Sequence, residues 1–428
     1  MLKTTWLSGK GWFLFVALMV LVVAGSTTAA PQKITVLIHP TLYEATGGNS
    51  DQGVIAQFSK RTGIEVEVVT SPTSDLREKE LIEFMARSGR YDVAFQLSSW
   101  MNDELFQYLE PLDTYVAKTG KSYDFKDIIG SLVQSNRDSK GKLRAIPFRV
   151  GTAMLYYNKA MLANKGLKVP KNWDEFYDAA QKLTVVNEKG ETKVYGVVQT
   201  LYPDNKDYIR VLYGMGGFVL DEKMTKCTLN STAAKKMVHL FKNLYSKGYM
   251  PKEVLAWDRD PQITALQQGR AAMGIFYSPY WGRLIDQKST KIADQMGWAP
   301  VPTSSGVPQG RSLNDGWNIS IDKNSRNKDL AWEFIIELTN KENQLIMAKK
   351  YANGAIRSSV YQSKEYLAEF PLANDWLMAT SSSLFAPPHP RFAEIQDIMN
   401  MEITDALLNK KSTEDALNNA VKRINKLL

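Results

Sequence analysis

The chain has 428 residues, 44% apolar and 23% charged, with 53 basic and 45 acidic side chains for a formal charge of +8. That balance excludes a disordered protein, and a length well past about 250–300 residues points to two lobes rather than one core. The single cysteine, Cys227, excludes an intrachain disulfide, and short basic groups such as Lys349-Lys350 lack the concentrated stripe that nucleic acid requires.

Lys3 and Lys10 open the chain, followed by thirteen unbroken apolar residues from Trp12 to Ala24 and then small residues ending in Ala29-Ala30. A basic start, a short apolar run and a small-residue exit form the pattern of a secretory signal peptide, 1–29. A spanning helix needs roughly 20 apolar residues, so this run falls short. Cleavage is expected after Ala29, with Thr27 at the −3 position, because a cut after Ala30 would put Pro31 at the scissile bond. No cysteine stands at the junction to take a lipid. The expected destination is therefore the periplasm or the exterior, as a soluble protein and not a lipoprotein.

The run Ile34-Thr35-Val36-Leu37-Ile38 reads as a buried strand. A helix follows over 52–60, an alternating strand over 65–69, and a helix over 76–87 that Gly89 stops. Asp92-Val93-Ala94-Phe95-Gln96 supplies a third strand, and this alternation predicts βαβ units with a mostly parallel sheet. A second set begins near Ile146, with a strand over 154–158 and a helix in which Trp173, Phe176, Ala180 and Leu183 share one face. Asn172 is its expected cap. Strands over 194–198 and 271–276, with a helix over 261–268 between them, continue the α/β pattern. Ala331, Phe334, Ile335 and Leu338 line one helical face, and 413–428 reads as a solvent-washed terminal helix.

Catalytic motifs are missing from this sequence. His39, His239 and His389 have no partner at metal-ligand spacing, and neither a G-x-S-x-G elbow nor a G-x-G-x-x-G loop occurs. No cofactor or metal is implied. A carboxylate pair of the glycosidase kind needs only to meet in space, so sequence leaves that possibility open.

Several segments resemble one family in its own order. They include Pro147-Phe148-Arg149-Val150-Gly151 with Met154-Leu155-Tyr156-Tyr157-Asn158, and then Pro170, Trp173, Glu175 and Phe176. Gln268-Gly269-Arg270-Ala271-Ala272-Met273-Gly274 leads to Ser278-Pro279-Tyr280-Trp281, with Ser278 where the family's turn carries glycine. Ala299-Pro300-Val301-Pro302, Ile319-Ser320 and Ala331-Trp332-Glu333-Phe334 complete the series. These resemble the extracellular solute-binding proteins of sugar ABC importers, the maltose-binding-like group, across almost the whole mature chain.

The resemblance implies a two-lobed α/β periplasmic-binding-protein fold, each lobe a parallel-dominated sheet flanked by helices. Three crossings are expected, at 144–150, 271–277 and 312–318. The first lobe is expected to hold 30–143 and 278–311, and the second 151–270 and 319–428. Binding at the strand ends and closure by hinge motion follow for such folds. The implied partners are a neutral mono- or oligosaccharide and an inner-membrane ABC permease complex, with no nucleic acid and a monomeric chain.

Ten tryptophans and nineteen tyrosines favour a sugar, whose apolar ring face stacks on an aromatic platform while polar groups reach its hydroxyls. Trp100, Tyr280, Trp281 and Trp317 sit at strand ends or crossings and are the candidate platforms, whereas Trp173 and Trp332 lie on apolar helix faces and are expected in the core. Tyr43, Glu44, Asp51, Arg149, Asp315, Asn318 and Arg357 are the polar candidates. Asp51 has a second reading as a helix cap. Two other functions stay open at this point: a sensory or adhesive receptor on the same fold, and a carbohydrate-active enzyme. Amino-terminal sequencing of the protein from its own host should start at Ala30; an intact 1–29 segment in washed membranes would show an anchor instead.

Overall fold

Runs of β-branched residues organise the molecule, of which the computed structural model describes residues 32–201 and 206–428. The expected export segment lies outside them. Lys33–Ile38 (β1) buries Ile34, Val36, Leu37 and Ile38 and pairs in parallel with Glu65–Thr70 (β2) and Val93–Leu97 (β3). In β2 the glutamates face water and Val66 and Val68 are half-buried, as its alternation requires of an edge strand. Helix Thr73–Ala86 packs behind this sheet through Leu76 and Phe84 and ends at Arg87 in the left-handed region.

Two antiparallel strands then carry the chain between lobes. Ile146–Asn158 (β4) is shared: its first half pairs with Asn314–Ile321 (β9), and its second half with Ala271–Tyr277 (β7) and Met296–Pro300 (β8). Strand β9 also pairs with β3, so the first lobe's sheet runs β2-β1-β3-β9-β4. On the other side, Thr192–Val197 (β6) pairs in parallel with β7 and carries the short strand Val185–Val186 (β5) at the edge. The sheets are therefore mixed, with parallel pairing on the outer strands and antiparallel pairing where the chain crosses. Nothing in the local sequence distinguishes these, because both kinds of buried strand read as apolar runs.

The pairing corrects the expected lobe boundaries. Strand β8 lies within 278–311, yet it pairs with 154–158 and so belongs to the second lobe's sheet. Strand β7, expected as a crossing, sits wholly within that sheet. Much of 319–351 belongs with the first lobe, where helix Lys328–Thr339 packs on Val54–Thr62 and β9. Leu384 lies against the start of β9, where Leu384 N donates to Ser312 O (3.0 Å) and Asn314 N to Leu384 O (2.7 Å).

Most predicted helices form with small shifts of boundary. Asn172 Oδ1 accepts from Glu175 N at 2.9 Å, capping Trp173–Leu183 as expected. Trp173 and Trp332 are buried. Thr413–Ile424 is not solvent-washed: Ala416, Leu417, Ala420 and Ile424 are buried, and the helix packs against Phe392–Leu407. Among the described residues no helix is long and apolar enough to cross a membrane.

An aromatic stack fills the second lobe beside β4. Trp281 is buried, stacked on Tyr156 at 5.9 Å and edge-on to Trp298 at 4.2 Å, and Trp298 stacks on Trp376 at 4.9 Å. Trp281→Ala should therefore cost about 3–5 kcal/mol of stability through a core cavity, read by chemical denaturation, with solute affinity unchanged.

A polar seam lies behind β3. The fully buried Glu80 accepts a hydrogen bond from Gln96 Nε2, which also donates to Ser320 Oγ at 2.8 Å; Glu80 Oε2 has no partner among the described residues. Burial pushes the Glu80 carboxyl up to about 8. Between its ordinary value of 4.5 and about 8 the folded chain holds a proton that the unfolded chain has released. Stability must then fall as pH rises across that interval. Urea midpoints measured over this range should decline, and Glu80→Gln should flatten the decline.

Candidate ligand-binding cleft

The floor of the interlobe cleft is built by one stretch of strand register. Across β9, Trp317 faces Leu97 on β3 and Arg149 on β4, and Asp315 faces Gly151. The β4–β9 register shifts by one residue between Pro147 and Arg149. Unshifted pairing would set Phe148 opposite Trp317; the shift puts Arg149 there, while Phe148 stays buried edge-on to Phe95 at 5.0 Å. Bulges of this kind re-aim a side chain near functional sites. At Gly316 a Cβ would lie 2.5 Å from Arg149 O, so only glycine lets the two strands approach here.

A cavity of about 410 Å³ opens over this floor, lined by Thr41, Leu97, Arg149, Tyr277, Tyr280, Asp315 and Trp317, among others. Trp317 is half-buried, with the His39 ring at 5.3 Å on one side and Trp100 edge-on at 5.9 Å on the other. His39 caps the short helix Pro40–Ala45, which brings Thr41 to the rim. From the second lobe, Lys206 Nζ reaches Asp315 Oδ2 at 3.2 Å and Tyr277 Oη donates to the same oxygen at 3.4 Å. Burial raises the Tyr277 phenol, which stays protonated and a donor at neutral pH.

Behind Tyr277 sits a buried charge cluster. Arg210 lies 4.2 Å from the Tyr277 ring centroid and pairs with Asp207, which also accepts from Thr200 Oγ1 at 2.5 Å and faces Arg259 at 3.6 Å. Arg149 differs from these. Among the described residues its side chain makes no hydrogen bond or ion pair, and burial holds its guanidinium below its ordinary value. Burial, and then the Arg149 charge, also pull the His39 imidazole down, so His39 is neutral at pH 7.

Of the eleven residues singled out from sequence, Arg149, Tyr280, Asp315 and Trp317 come together in this cavity. Others do not. Asn318 is buried on the opposite face of β9, accepting from Asn136 Nδ2 at 2.8 Å and donating to Ser98 Oγ at 3.2 Å; its parity differs from that of Asp315 and Trp317 by one residue. Arg357 is buried too, donating to Thr339 O (2.6 Å), Tyr123 O (2.8 Å) and Asp124 O (2.9 Å) and pairing with Asp127 (3.3 Å), a clamp for the loops of the first lobe. Trp281 belongs to the aromatic stack described above.

Trp100 supports Trp317 from behind and lies under the Arg77 guanidinium at 5.8 Å, off the cleft floor. Tyr43 turns away, donating to Asn49 Oδ1 at 2.8 Å, and Glu44 is exposed. Asp51 is exposed and caps nothing; Gly53 holds the cap position of Val54–Thr62. Sequence reading missed Thr41, Lys206 and Tyr277. Tyr277 at the end of a crossing-like strand carried a signal; the others acquire their place only through the fold.

Larger hollows of about 720 and 1000 Å³ lie elsewhere. The cavity over the β9 floor differs from them in setting the half-buried Trp317 indole beside Arg149 and Asp315, an aromatic face with polar groups around it, which makes it the candidate site.

Residues 44–345 match the profile of the family described as bacterial extracellular solute-binding protein. A protein of Sinorhizobium fredii named as a probable amino-acid ABC transporter periplasmic-binding protein is 23% identical over 85% of this chain and 82% of its own length. The erythritol/L-threitol-binding protein of Mycolicibacterium smegmatis is 27% identical over 78% of this chain and 72% of its own. Among solved structures, an ABC transporter solute-binding protein from Agrobacterium radiobacter in complex with ribitol superposes with a TM-score of 0.75 at 24% identity, covering 93% of this chain and 98% of that one. That likeness confirms the two-lobed α/β fold. With the profile spanning most of its length, this chain belongs to the bacterial extracellular solute-binding proteins, a family of binders rather than catalysts.

Proposed function

We propose that the chain captures a sugar or sugar alcohol in the interlobe cleft and hands it to an inner-membrane ABC permease without chemical change. The observation that carries this reading is the cavity itself: an indole platform, Trp317, ringed by Arg149, Asp315, Tyr277 and Tyr280. An aromatic face with hydrogen-bonding groups around it suits a polyhydroxylated carbon chain or ring. The names of relatives that bind erythritol or L-threitol, and the ribitol complex, agree in ligand class. The amino-acid designation of another relative fits less well, since among the described residues the cavity's carboxylate, Asp315, already has a cationic partner in Lys206.

The crossings at β4 and β9 would serve in the hinge. Closure on the solute would give the permease a surface the empty form lacks. The chain would act as a monomer outside the inner membrane.

Thermal-shift screening of a carbohydrate and polyol panel tests the reading, because a ligand of the folded state raises the melting temperature by mass action. At least one member should do so; a response confined to amino acids or polyamines would overturn the ligand class. In calorimetric titration, Trp317→Ala should weaken binding about tenfold or more, since one lost stacking face removes at least about 1.4 kcal/mol. Its loss of stability should be smaller than that of Trp281→Ala, because Trp317 is only half-buried.

A further inference from the structure

We propose that the solute carries an anionic group, a carboxylate or phosphate, which the guanidinium of Arg149 receives between Trp317 and Tyr280. This rests on the cleft being the carbohydrate site proposed above and specifies the charge of its ligand.

Three observations converge. The register shift in β4 spends a bulge to bring Arg149, and not Phe148, to the Trp317 face. The guanidinium is then left, among the described residues, with no hydrogen-bond or ion-pair partner, although Arg210, Arg259 and Lys206 nearby each have a carboxylate. Finally, the charges do not balance. Among the described residues, four cations, Arg149, Lys206, Arg210 and Arg259, stand around the floor against two carboxylates, Asp207 and Asp315. Asp315 is engaged by Lys206 and Tyr277, and Asp207 by Arg210 and Arg259, so neither is spare for Arg149.

A partly desolvated, unpaired guanidinium is costly to maintain in a ligand-free protein. Its planar fork of donors matches a carboxylate or phosphate in bidentate geometry, which no single hydroxyl can reproduce. Tyr280 borders the same space and the neutral imidazole of His39 lies against Trp317; neither adds negative charge. A neutral sugar would leave the excess positive charge in place; a carboxylate offsets about one charge of it and a phosphate up to about two.

The test compares matched pairs by calorimetric titration of the mature protein: hexuronic and aldonic acids and sugar or polyol phosphates, each against its neutral parent. The acid of at least one pair should bind about 10- to 100-fold tighter than its parent, the range expected for a charge-assisted hydrogen bond. Whether the carboxylate or the phosphate series responds identifies the source of the anion. Arg149→Gln should weaken that acid at least about tenfold more than it weakens the parent, because only the acid loses a charge-assisted pair. The same variant should raise the melting temperature of the ligand-free protein, because it removes an unpaired charge. Neutral parents binding as tightly as their acids, or Arg149→Gln weakening both alike, would overturn the inference while leaving the carbohydrate reading intact. A fall in ligand-free melting temperature would also count against it, showing that the guanidinium is structurally paired. Silence from both series would remove the carbohydrate reading as well.

Discussion

Antiparallel pairing of β9 with β3 on one side and with the first half of β4 on the other is the constraint on which the cleft depends. Side chains alternate across a strand, so this register decides which residues face the cavity and which face the core. Asp315 and Trp317 point one way; Gly316 and Asn318 point the other, toward Ser98. The one-residue shift at Phe148 then delivers Arg149 to the same face as Trp317. A slip of one position would bury the indole, expose the amides and leave no floor.

The same strands couple the lobes. Because β4 runs unbroken from the first lobe's sheet into the second's, the residues at its midpoint belong to both. Ligand groups held by Arg149 and Trp317 from one lobe and by Tyr277, Tyr280 and Lys206 from the other would be felt on each side of the crossing. The ion pair of Lys206 with Asp315 already spans that boundary. Its partly exposed setting makes it modest in energy and easily rearranged, as surface pairs generally are, which suits a contact that must yield when a solute enters.

Much of the fold was legible from residue pattern. The runs at 34–38 and 92–96 formed the strands they implied, and Asn172 capped its helix, because local chemistry fixes such features. The lobe assignment of 278–311 and 319–351 was not legible. An apolar run such as Met296–Pro300 is compatible with either sheet, and which strand it pairs with is a long-range choice. Asn318 and Arg357 show the same limit for function. A polar residue beside a cleft and a polar residue clamped in the core carry the same letter, and only hydrogen-bond partners separate them.

By itself the sequence determined the α/β class, the sequence-order motifs of a solute-binding protein, and the supply of aromatic and cationic side chains at strand ends. Those follow from local periodicity and composition, which act over a few residues. Tertiary structure decided which of those side chains meet: it put Trp317, Arg149 and Asp315 on one floor, sent Trp281 into an aromatic stack, and left Arg149 without a partner among the described residues. The reason is physical. Facing direction depends on register and on a single bulge, and charge balance depends on residues as far apart in sequence as Arg149, Lys206 and Asp315.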